Sequence, residues 1–147
     1  MPADAFLDGL LITSYLPRVE DTEDEWSQFF IEVHEEYGDG APLTNTHLFG
    51  MTQAVMFAQV LKSAGEDLTR QSLIDALETQ EWRGPGLVPF SSSGDDHGGH
   101  QGVYVTQYSE GDEIELVQGA RVTDRSGGSV EEIDFERLSP EELDFHD

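Results

Sequence analysis

Cysteine is missing from the 147 residues, which excludes disulfide staples and thiolate chemistry and leaves the compartment open. Cations are nearly missing as well. Lys62 is the single lysine, and 7 Lys and Arg stand against 31 Asp and Glu, for a net charge of −24. Nucleic acid is thereby excluded as a partner, because phosphates need Lys/Arg clusters that this chain does not have. No apolar run reaches the length of about 18 residues that a membrane span requires. The opening MPADAFLDGLLITSY lacks a basic start and a small-residue cleavage site, so no signal peptide is expected in it. There is no nucleophile elbow, phosphate loop or HExxH, and the five histidines are scattered. Neither an enzyme nor a cofactor is expected.

What the chain does have is length for one ordinary domain and apolar content for one core. Its charge repels itself and works against compaction at low salt. One reading is an acidic surface suited to a saline medium, where a Debye length of about 3 Å at 1 M screens the repulsion. The other is a composition bias of the lineage. A thermal midpoint that ignores salt would remove the first.

The chain is organised around Asn45 to Gly65, NTHLFGMTQAVMFAQVLKSAG. Leu48, Met51, Val55, Met56, Phe57, Val60 and Leu61 go most of the way round a helix, which predicts a segment buried on nearly every face. Gly65 supplies the stop. Before it, Phe6 to Tyr15 is a short apolar run with the look of a strand buried on both faces, closed by Pro17. The acidic run Glu20 to Glu25 lacks the glycine and distal glutamate of a calcium loop. It is expected to start a helix, with Thr22 and Glu25 forming a capping box. Trp26, Phe29, Phe30, Val33 and Tyr37 follow at helical spacing, and Gly38 and Gly40 end the run.

After Gly65, Thr69 is expected to cap a further helix carrying Leu73, Ile74 and Leu77, to about Gln80. Arg83-Gly84-Pro85-Gly86 reads as a turn, and Leu87-Val88-Pro89-Phe90 as an extended edge or crossover piece. Ser91 to Gly102 is a polar loop holding Asp95, Asp96, His97 and His100. Imidazole and carboxylate together could take Zn²⁺ or Ni²⁺. Ligands so crowded, beside Gly98 and Gly99, would make a weak site, and the plainer reading is a solvated loop with Asp96 bonded to local backbone. Val103–Tyr108 and Glu113–Val117 alternate as a β-hairpin around Ser109-Glu110-Gly111-Asp112. The expected division is a domain over 1–119 and an acidic, mostly unstructured tail over 120–147.

Four segments in order, GLLITSYLPRVEDTEDEWSQFFIEVHEEYG, HLFGMTQAVMFAQVLKSAGEDLTRQSLIDALETQ, GPGLVPFSSSGDDH and GVYVTQYSEGDEIELV, resemble the C-terminal part of solute-binding proteins of the branched-chain amino-acid type of ABC transporter. The resemblance covers about Phe6 to Val117, and its order and spacing are more specific than any single word. It implies a partial type I periplasmic-binding-protein fold of the α/β class: the helical layer of one lobe, hinge-crossing strands and a C-terminal hairpin. It also implies an extracytoplasmic location and a membrane permease as partner. Tyr15, Phe49 and Met51 would line the cleft, and the segments of Pro17 and Pro89 would be the hinge. Met51 stands where the family often has an aromatic residue. Family members are longer, and the groups that grip a ligand's carboxylate and ammonium lie in the part without a counterpart here. A truncated or split product is therefore expected, binding an amino acid, amide or aromatic acid only with the missing lobe. The alternatives are an acidic metal-responsive interaction module through Asp96, His97 and His100, and the ligand-sensing domain of a receptor.

Overall fold

The computed structural model describes residues 7–109, 113–122 and 129–143. Among the described residues there are three helices and two antiparallel sheets. The strands are β1 (Leu11–Ser14), β2 (Glu81–Trp82), β3 (Phe90–Ser91), β4 (Gly99–His100), β5 (Gly102–Ser109), β6 (Glu113–Val122) and β7 (Glu131–Glu132). The helices are α1 (Glu25–Tyr37), α2 (Asn45–Ala64) and α3 (Arg70–Thr79). The larger sheet has the order β1-β5-β6-β7 and the smaller β2-β3-β4. The mixed helix-and-sheet architecture agrees with the expected α/β class.

Helix starts are local events and follow local chemistry. Thr69 takes the backbone N–H of Ser72 at 3.0 Å and opens α3 as expected. Thr44 does the same for α2, with His47 completing a capping box. The expected box of Thr22 and Glu25 is corrected: Asp24 caps α1, its Oδ1 accepting from Trp26 and Ser27 N–H, each at 3.1 Å. Asp is as good a cap as Thr, and the Thr22 carbonyl is taken instead by Gln28 Nε2 at 2.7 Å. Gly38 ends α1, and Gly65, at φ 79°, ends α2 in the backbone region glycine enters cheaply.

The central helix is not buried all round. Its buried residues are Leu48, Thr52, Met56 and Val60, one stripe at four-residue spacing. Phe49 and Phe57 are 45% and 55% exposed. The stripe divides between two clusters. Leu48 joins Leu16, Trp26 and Phe30 under α1, whereas Met56 and Val60 join Ala76 and Trp82 against α3 and β2.

β1 is also corrected. It alternates exposed and half-buried, and it forms an edge of the larger sheet, paired to β5 from Leu11↔Gln107 to Ser14↔Tyr104. Leu11 is 59% exposed; a run of three apolar residues marked a one-sided edge strand, not a strand covered on both faces. Phe6 lies outside the described residues, as do Glu110 to Asp112 of the hairpin turn. The hairpin itself is present, with β6 running five residues beyond Val117. Its register shifts between Val103 and Val105 and again between Val105 and Thr106, irregularities that bend a strand.

The expectation of an unstructured tail is corrected for its described residues. β7 pairs with the end of β6, and Ile133 N–H reaches the Ala120 carbonyl at 3.1 Å. Further on, the Leu138 carbonyl accepts from Trp26 Nε1 at 2.8 Å, and Leu143 packs on the cluster of Trp26. Residues 123–128 and 144–147 lie outside the described residues. Apolar and backbone contacts made far along the chain hold what local composition marked as loose.

Candidate functional site

Within residues 7–109 the chain passes between the larger sheet and the helical layer at two places. It leaves β1 through Tyr15-Leu16-Pro17, and it enters β5 through Gln101. The segment 87–89 lies between these passages. Leu87 N–H donates to the Tyr15 carbonyl at 2.8 Å, and Gln101 N–H to the Pro89 carbonyl at 2.8 Å. Leu16 and Pro17 are buried, as are Val88 and Pro89. Both prolines therefore sit in the crossing region, Pro17 in the first passage and Pro89 in the segment bonded to the second.

His100 sits at the same place. Its ring stacks on Tyr15, centroids 4.4 Å apart, and meets Phe90 edge-on at 5.0 Å. A Cβ on Gly86 would fall 2.7 Å from His100 Cε1, so the ring occupies space that only glycine leaves free. Burial pushes the imidazole below its usual 6.5, partly opposed by a backbone hydrogen bond with Val88. His97 instead projects outward, its Nε2 3.9 Å from Glu78. Asp96 accepts from Gly98 N–H at 2.9 Å, the local backbone bond expected of a solvated loop. The structure thus separates His100 from His97 and Asp96, and no group of three metal-ligating side chains forms among the described residues.

Beside the crossing lies a half-open hollow of about 520 Å³. It is lined by Arg18, Glu20 and Asp21 from the stretch after Pro17, by Leu87, by Tyr104 and Thr106 of β5, and by Ile114, Leu116, Gly119 and Ala120 of β6. Arg18 pairs with Glu20 at 3.0 Å, while its own N–H is fixed by Asp21 Oδ2 at 2.8 Å. Partial burial raises the Glu20 carboxyl, but its own backbone N–H, Asn45 and Arg18 outweigh this and hold it below the ordinary 4.5. Tyr104 donates its hydroxyl to the Leu16 carbonyl at 2.7 Å, tying β5 to the first passage, and burial pushes that phenol up. The lining thus combines apolar side chains with one cation and two carboxylates, a size and composition suited to a small molecule.

Neither Tyr15, Phe49 nor Met51 lines this hollow. Tyr15 and Met51 pack on one core cluster, and Phe49 is exposed at the start of α2. The residues that do line it left faint traces in the sequence. Arg18 is the single cation among the first 61 residues, and Tyr104 and Thr106 are alternate positions on one hairpin face.

Among the curated proteins, none matches this chain. A family profile described as periplasmic binding protein matches residues 2–113, a stretch that holds all three helices, both passages and the hairpin's first strand. On that match the chain belongs to the periplasmic binding protein family.

Proposed function

We propose that the chain serves as the solute-binding component of an ABC-type importer, for a branched-chain amino acid or a related small molecule. The observation that carries this reading is the hollow of about 520 Å³ between the stretch that follows the first passage, Leu87 and the β5–β6 hairpin, in a chain of a family whose members bind small molecules. The apolar part of its lining, Leu87, Ile114 and Leu116, suits an aliphatic or aromatic side chain. Arg18 suits a carboxylate, because its guanidinium presents a fork of donors. Glu20 and Asp21 suit an ammonium.

In this reading the passages of Pro17 and Pro89 form the hinge, and the chain provides one wall of the cleft. Phe49, exposed at the N-terminal end of α2, lies outside the hollow with Tyr15 and Met51 and is left for a second lobe to cover. Binding is completed by a second lobe. The family implies a place outside the cytoplasm, and a membrane permease receives the solute. No bond is made or broken, so no catalytic residue is assigned.

Titration calorimetry tests the reading. The chain alone should give no heat with leucine, glutamine or aromatic acids. A second periplasmic-binding-protein lobe, supplied as a separate polypeptide, should restore micromolar binding that Arg18→Ala weakens about tenfold. Micromolar binding by the chain alone, or restored binding indifferent to Arg18, refutes it.

A further inference from the structure

The described residues after β7 form no sheet or helix of their own, yet two of their polar contacts reach 112 and 113 positions back along the chain. Arg137 uses both ends of its guanidinium. One nitrogen, Nη2, pairs with Asp24 Oδ2, and the other, Nη1, donates to the Pro85 carbonyl at 3.3 Å. Both partners of the ion pair are mostly covered, their side chains 21% and 13% exposed. One residue further, Leu138 takes the Trp26 indole N–H. Ser139 and Glu142 then close a turn on each other, Ser139 N–H to Glu142 Oε2 at 2.8 Å and Glu142 N–H to Ser139 Oγ at 3.3 Å. This turn presents Leu143 to the cluster of Leu16, Trp26, Phe30 and Leu48.

These contacts join three things. The segment starts on the larger sheet, where β7 pairs with β6 and Arg121 meets Glu132 at 3.4 Å. It ends on the N-terminus of α1, through Asp24 and Trp26. Midway it holds Pro85, two residues before the amide that bonds the first passage. We infer that residues 133–143 are a strap that limits movement of the larger sheet against the helical layer, acting on the hinge from outside the crossing strands. Two adjacent passages alone leave a pair of layers free to swing, as hinges do. A third link that does not run through those passages opposes the swing. The strap lies beyond residues 2–113, the stretch the family profile matches. It stands whether or not the hollow takes an amino acid.

The chemistry supports this assignment. The chain has few cations to place, and a forked, partly covered pair is the kind that holds geometry, unlike a solvated one. Asp24 is committed twice, with Oδ1 capping α1 and Oδ2 on Arg137, so the strap and the helix start are fixed by one side chain.

The test uses the full chain, whose lack of cysteine permits clean labelling at Glu66→Cys on the helical layer and Glu115→Cys on β6. Spin-label distances should be narrow in the otherwise unchanged protein and broad in Arg137→Ala. Hydrogen exchange at the Leu87 and Gln101 amides should speed up about tenfold in that variant, with amides inside α2 changed less than about twofold. Arg137→Met keeps the length of the side chain and removes the ion pair with Asp24 and the bond to Pro85, so it gives the same reading in milder form if Arg137→Ala does not fold. Distances as narrow in both variants as in the parent, or exchange that rises equally everywhere, overturns the strap.

Discussion

Two faces of α2 carry side chains of similar apolarity and meet different fates. Leu48, Met56 and Val60 are buried, with Thr52 among them, while Phe49 and Phe57 stay about half exposed one residue further round. The helix spans 20 residues and has apolar surface for two neighbours, but among the described residues the packing elements lie along one line. Apolar content measures how much a helix could bury; the neighbours decide which part it does bury. In the proposed assembly the bare face lies outside the solute's hollow and is left for a second lobe.

That contrast can be broken most directly at Leu48. Leu48→Ala should cost about 2–5 kcal/mol in urea unfolding, the range for emptying a packed site, and a loss below about 1 kcal/mol would mean the stripe does not carry the fold. Thr44→Ala removes the oxygen that takes His47 N–H and should cost about 1 kcal/mol by the same measurement. His100 and Phe57 invert the usual partition, with a titratable ring inside and a phenyl outside. Because burial depresses the His100 pKa below 6.5, the unfolded chain takes up that proton first as pH falls. The stability tied to a neutral His100 is therefore complete above pH 6.5 and is lost as pH drops below it. A melting series from pH 7.5 downward should show this decline in the parent and a flatter profile in His100→Phe. The smallest effect belongs to the open face: Phe57→Ser should change stability by less than about 0.5 kcal/mol, and a larger loss would show that the face is covered in solution.

Features set by neighbours in sequence were legible in the sequence. The glycine stops, the Thr69 cap, the hairpin and the aromatic face of α1 over Trp26, Phe29 and Phe30 all depend on residues a few positions apart, although Tyr37, expected on that face, is 76% exposed. The ordered segments pointed to the family that the profile match then showed. What stayed hidden depends on distance along the chain. β2, β3 and β4 are two residues each and exist only by pairing, so no periodicity marks them. The Tyr104 bond to Leu16 spans 88 positions and the Arg137 pair 113. The hollow was missed for the same reason, since Arg18, Leu87 and Tyr104 meet only after the passages have formed. His100 drew notice as a ligand beside His97, when spacing could not tell which way each ring turns.

The outer side of β1 bears on how the protein must be handled. Among the described residues β1 pairs on one side only, and an edge strand with an exposed leucine can recruit another copy; here the guard is charge, because molecules at −24 repel one another before their edges meet. Added salt withdraws that guard at the same time as it relieves repulsion inside each molecule. A melt that sharpens in brine can thus report tighter folding or the onset of stacking, and only a dilution series run at each ionic strength tells the two apart.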